Sequence, residues 1–175
     1  MSFKNSKLKP QCIILIGPPA CGKGTQAKLL QNSLSNSITI STGELIRKSG
    51  DVSGNYVDDN TIKSLVEQEI SQYSKDTTFI LDGAVRTLGQ IEMAQELFSI
   101  SSIISFDSIS YGELERRIIS RGRPENPQIR IQDYIEKSSC VREYFSIYYP
   151  DNFHSINAGM SKEDVKEEIK RRLQI

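Results

Sequence analysis

The sequence predicts a three-layer α/β fold, a five-stranded parallel sheet with helices on both faces. Two observations point there. Short apolar runs alternate along the chain with longer stretches of helical period, the order that parallel sheets require. The first run, Cys12 to Ile16, stops at Gly-Pro-Pro, a strand running into a loop. Strands are expected over 12–17, 37–40, 78–82, 103–107 and 154–157. Between them, 23–33 places Ala27 and Leu30 on one helical face, with Leu34 beyond it, and 61–73 does the same with Ile62, Leu65, Val66 and Ile70. Further helices are expected over 88–98, 111–121 and 129–148, and Val165, Ile169 and Leu173 recur at helical spacing over 162–173. No repeat, low-complexity tract or long linker interrupts the chain, so 1–175 reads as one domain. Two segments, about 41–73 and about 121–128, read as inserts on its core.

Composition narrows the class. A chain of 175 residues buries roughly 70% of its unfolded surface and needs neither disulfide nor metal to stay folded. Hydrophobic residues at 37% and charged residues at 25% describe a soluble globular protein. Twenty-two basic residues balance 22 acidic ones, which speaks against bulk attraction to nucleic acid or an anionic membrane. No apolar run has the length of a membrane span, and the first nine residues have no apolar centre, so neither an anchor nor a signal peptide is expected. Cys12, Cys21 and Cys140 are odd in number and contain no C-x-x-C pair, which suggests a reducing, cytoplasmic setting and no zinc site.

The chemistry begins after the first strand. Gly17-Pro18-Pro19-Ala20-Cys21-Gly22-Lys23-Gly24-Thr25 has the G-x-x-x-x-G-K spacing, with a strand before it and a helix after it. Small residues let successive backbone N–H groups converge on phosphate oxygens, the helix N-terminus adds partial positive charge, and Lys23 adds a full one at the β/γ end. Gly24 stands where such loops usually carry a magnesium-binding Ser or Thr, and Thr25 follows one place later. Phe79-Ile-Leu-Asp82 brings a carboxylate to a strand end, where a magnesium shell would sit.

Four motifs follow one another in order: Gly17 to Ala27 with its Gly-Lys-Gly-Thr, Ile40-Ser-Thr-Gly-Glu-Leu-Ile-Arg47, Phe79 to Gln90, and Arg117-Ile-Ile-Ser-Arg121. Together they make the chain resemble the adenylate kinases of the nucleoside monophosphate kinase family, with a short lid. The resemblance runs from about Gln11 to the last helix. It implies a P-loop NTPase-type sandwich in which 41–73 is the acceptor-nucleotide insert and 121–128 a short lid. It implies reversible, Mg2+-dependent phosphoryl transfer from ATP to AMP, giving two ADP. Residues 17–25 with Arg117 and Arg121 would bind ATP, and Arg123 would join them around the donor phosphates. Lys23 would contact the transferring phosphate, and Arg47 and Arg86 the acceptor's α-phosphate. Thr42, Val57 and Gln90 would sit at the acceptor base, Gly83 would admit that base to the backbone, and Asp82 would orient Mg2+ through water. Gln90 lies one helical turn past Arg86, and its amide offers a donor and an acceptor to an adenine edge. The expected partners are ATP and AMP on a monomer.

The pattern departs from the family in three places. Asp82-Gly-Ala-Val-Arg86 lacks the family's Phe-Pro, six residues separate Arg47 from Gly54 in a shortened insert, and Glu125-Asn126 stand where paired aspartates are usual. The lid's final arginine is absent at Tyr134, and Arg130, one turn earlier on the same helical face, is the candidate replacement. Those losses motivate two alternatives: a kinase for another monophosphate, and a weakly catalytic adenine-nucleotide-binding protein. His154 reads as a core or edge residue, Cys21 as small-residue filler, and Tyr144, Phe145, Tyr148 and Tyr149 as packing.

Overall fold

The computed structural model describes residues 9–50, 57–122 and 126–175. They run as β1 (Gln11–Ile16), α1 (Lys23–Ser33), β2 (Ser37–Ser41), α2 (Thr42–Lys48), α3 (Asp59–Ile70) and β3 (Thr78–Asp82), then α4 (Leu88–Leu97), β4 (Ser99–Asp107), α5 (Tyr111–Ser120), α6 (Pro127–Tyr148), β5 (Phe153–Asn157) and α7 (Lys162–Leu173). The strands form one sheet in the order β2-β3-β1-β4-β5, and every neighbouring pair is parallel. From β1 the chain moves outward to β2 on one side, and after β3 it crosses to β4 on the other. The crevice at the carboxyl ends of β1 and β3 is therefore a switch point, where such sheets bind ligands.

Strand alternation divides the core between two layers. Cys12, Ile14 and Ile16 of β1 face a layer built with Phe79, Leu81, Val66, Ile91 and Phe145. Ile13 and Leu15 face the opposite layer, where α1, α5 and α7 contribute Leu30, Ile118 and Val165. Phe79, Phe106 and Phe145 are fully buried, each stabilising the fold by about 1.5–3 kcal/mol. Phe79 also meets Tyr73 and Phe98 edge-on. Of the aromatic residues expected to pack at the end of α6, Phe145 is buried and Tyr144 and Tyr149 are half-buried, their hydroxyls accepting from Gln95 Nε2, both at 3.0 Å, whereas Tyr148 is 66% exposed. His154 lies half-buried on the edge strand β5, and burial, followed by Arg172, lowers its pKa.

Helix ends follow their caps. Asp58 accepts from the N–H groups of Asn60 and Thr61, so α3 begins two residues before the apolar period indicates. Asn126 caps α6, with Pro127 in its first turn. Two further elements differ from expectation. The seven-residue α2 is too short for its apolar period to be visible. β4 starts at Ser99 rather than at 103 because its serine-rich opening lacks an apolar signal. Its register against β1 shifts between Cys12 and Ile13, and Ser101 Oγ donates to the Cys12 carbonyl at 2.8 Å.

Candidate active site

The loop between β1 and α1 delivers Lys23 to the first turn of α1. Its Nζ donates to the Gly17 and Pro18 carbonyls at 2.7 and 2.8 Å and lies 3.5 Å from Cys21 Sγ. The loop's own carbonyls thus hold the ammonium at the mouth of the helix. Ala20, in the middle of the loop, takes a left-handed φ of 62°, which costs a residue with a Cβ roughly 1–2 kcal/mol. The glycine after the lysine also has a spatial reason. A Cβ on Gly24 would stand 3.0 Å from Asp82 Oδ2, so a side chain there would crowd the carboxylate that ends β3. Burial raises the Asp82 pKa, against the opposing charges of Lys23, Arg86 and Arg121. The carboxylate and three cations from separate segments therefore share one electrostatic neighbourhood.

Across the crevice, the turn after β3 gathers a second set. The Gly83 carbonyl accepts from Thr42 Oγ1 at 2.9 Å and from Arg86 Nε at 2.8 Å, joining the start of α2 to the turn. Gly83 has φ +67°, and a Cβ on it would lie 2.8 Å from Arg86 Nη2. Gln90, buried in the first turn of α4, accepts from the Arg86 N–H at 2.8 Å through Oε1. Its Nε2 donates to Asp59 Oδ1 at 2.9 Å, while Thr87 Oγ1 donates to Asp59 Oδ2 at 3.0 Å.

A cavity of about 210 Å³ opens between these sets. Gly17 and Lys23 line one side; Thr42, Val57, Gly83, Arg86 and Gln90 line the other. α6 closes it with Arg130, Tyr134 and Lys137, which recur at helical spacing on one face. Arg130, the candidate replacement for the missing arginine, faces this cavity. Burial pushes the Tyr134 phenol up to about 12, so it stays protonated there. Other anticipated arginines are not among its lining residues. Arg47 is exposed in the last turn of α2, its guanidinium beside Gly43 of the cavity wall. Arg117 is paired at 2.6 Å with Glu113, whose pKa Arg116 and Arg117 together pull down to about 2. Arg121 is exposed just past α5, although its charge reaches Asp82. Arg123 lies outside the described residues.

Asp59 and Lys137 were not anticipated. Asp59 is the first residue of α3, just after its cap Asp58, and an expected helix start at 61 left it outside any element. Lys137 was hidden by the general charge of α6.

A central strand opening through a glycine-rich loop into a helix, beside a cavity walled with lysine and arginine, defines a phosphate-loop enzyme of the three-layer α/β class. A family model described as adenylate kinase matches residues 15–175. An adenylate kinase of Corynebacterium urealyticum is 29% identical over 89% of this chain and 94% of its own. Adenylate kinase 1 of a Nostoc species is 29% identical over 92% and 97%, and an adenylate kinase of Mycolicibacterium smegmatis 30% identical over 87% and 93%. The chain belongs to the adenylate kinase family and is a nucleoside monophosphate kinase. No described helix is long and apolar enough to cross a membrane.

Proposed function

We propose that this protein reversibly transfers the γ-phosphoryl group of MgATP to AMP, giving two ADP. The observation that carries the reading is the single cavity onto which the phosphate-loop lysine, the Gly83–Arg86 turn and the Gln90 amide all open. Donor phosphates lie along residues 17–25, held by backbone N–H groups and Lys23, and Arg117 and Arg121, with Arg123, supply further positive charge to them. The acceptor lies along α2 and the turn after β3. Arg86 and Arg47 hold its phosphate, and Thr42, Val57, Gly83 and Gln90 hold its base. An ionised oxygen of the AMP phosphate attacks the γ-phosphorus, the bond to the β–γ bridging oxygen breaks, and ADP leaves on each side. The acceptor is already ionised, so no general base is needed. Alignment and positive charge lower the barrier, and Arg130 supplies the charge that family members take from the position of Tyr134.

Mg2+ suits these residues. It uses one or two carboxylates and otherwise takes phosphate oxygens and water, and Asp82 is the carboxylate that abuts the phosphate loop. Asp82 would hold it through water, and the ion would neutralise charge on the β- and γ-oxygens. Residues 41–73 serve as the acceptor insert and 121–128 as a short lid, excluding water when both nucleotides are bound.

The test is ³¹P NMR with MgATP and each nucleoside monophosphate in turn. ADP formation with AMP, abolished in Lys23→Ala, is expected. Turnover confined to another monophosphate would move the acceptor assignment, and binding of nucleotide without transfer would overturn the reading.

A further inference from the structure

Gln90 has an amide whose two ends look alike in shape and opposite in hydrogen bonding. Its orientation is decided by two neighbours of opposite demand. The Arg86 backbone N–H, at 2.8 Å, requires the oxygen, and the Asp59 carboxylate, at 2.9 Å, requires the NH2 group. Asp59 is itself anchored from its second oxygen by Thr87 Oγ1, the cap of α4. The fit is close: a Cβ on Gly89 would fall on the Asp59 carboxylate, nearer than any real contact, and 3.3 Å from its Cγ. Asp59 thus stands behind Gln90, while Gln90 itself borders the cavity.

From this we infer that Asp59 is a specificity-determining positioning residue, which locks the Gln90 amide in the orientation that accepts a 6-amino purine and rejects a 6-oxo purine. The inference rests on the reading of this cavity as the AMP site. With Oε1 committed to Arg86 and one Nε2 hydrogen to Asp59, the amide offers the acceptor one further lone pair and one further N–H. Adenine presents the complement, an exocyclic amine and an unprotonated N1. Hypoxanthine presents the reverse, an oxygen at C6 and a protonated N1, and can pair only if the amide turns over. Turning it over would set an amide NH2 against the Arg86 N–H and an amide oxygen against a carboxylate. Asp59 therefore makes the wrong orientation costly without touching either base. A hydrogen bond to a charged group supports a discrimination of about tenfold or more.

The experiment measures kcat and KM for AMP and for inosine monophosphate in the wild-type protein, Asp59→Asn, Gly89→Ala and Ser161→Ala. Asp59→Asn keeps the size of the side chain, but the new amide tolerates either end of the Gln90 amide. Gly89→Ala favours the helix while pushing the Asp59 carboxylate away, so it disturbs the same contact with the carboxylate still present. Ser161→Ala removes the α7 cap, on the other face of the sheet, and lowers stability with Asp59 and Gln90 untouched. The expected result is a fall of about tenfold in the AMP-to-IMP ratio of kcat/KM in both Asp59→Asn and Gly89→Ala, carried by KM, with the ratio unchanged in Ser161→Ala. An unchanged ratio in the folded variants, or an equal fall in Ser161→Ala, would overturn the role of Asp59. A wild-type protein that does not phosphorylate AMP would instead overturn the proposed function.

Discussion

Gly83→Ala should separate backbone strain from loss of the acceptor contact. Gly83 has φ +67°, so an alanine there takes a left-handed conformation at a cost of roughly 1–2 kcal/mol. At about 2–4 °C per kcal/mol for a chain of this length, the melting temperature should fall by about 2–8 °C. The new Cβ would also lie 2.8 Å from Arg86 Nη2. Arg86 is exposed and its side chain long, so it yields, and moving it adds little to the stability loss. It does take the guanidinium from its place beside the cavity. A charge-assisted contact to phosphate is worth about 1.5–3 kcal/mol, so KM for AMP should rise by about ten- to a hundredfold. Gly122→Ala is the control, with φ +63° and open space around the added Cβ. It should lose similar stability with the AMP KM unchanged. Thermal melts followed by circular dichroism and a coupled assay for ADP read both quantities. If the two variants share the same AMP KM, the steric reasoning fails; if neither melts below the wild type, the strain reasoning fails.

Two further outcomes follow from the same geometry. Ala20→Gly should relieve the left-handed strain in the phosphate loop and raise the melting temperature by about 2–8 °C, and a fall would refute that strain. Asp107 accepts from Arg142 Nη2 at 3.0 Å, Ser155 at 2.7 Å and Ser105 at 3.0 Å. Burial would raise its pKa, but these partners outweigh it and the net shift is downward. The stability this carboxylate contributes is then present above the ordinary Asp pKa of about 3.9 and is lost as pH falls further. Arg142 is 45% exposed, so solvent screening limits the pair to about 1 kcal/mol. The melting-temperature gap between wild type and Arg142→Met should be open at pH 7 and narrow below about pH 4, and a gap that widens on acidification would refute the assignment.

Much of the fold is legible in the sequence because it is written locally. The phosphate loop is contiguous, so its small residues and Lys23 announce their chemistry within nine positions. The strands and most helices show in apolar periods, since a repeating backbone geometry imposes the same period on the residues that face a core. The candidate site was only partly readable. Thr42, Gly83, Arg86 and Gln90 meet at one turn, while Arg47 stands beside the cavity wall at Gly43 and Arg117 is paired with Glu113, although nothing in their local sequence separates them. Arg130 reached the cavity because the face of α6 that carries it turns inward.

The order of strands and helices, the phosphate loop and the family are all legible in the chain alone, because each depends on residues close together in it. Only the packed fold sets Asp82 where a Cβ on Gly24 would crowd it, and brings Asp59 to Gln90 across 31 residues. Those contacts depend on which strands pair and on how helices pack across the sheet. Such distances are set by the whole core at once, and no local period of the chain records them.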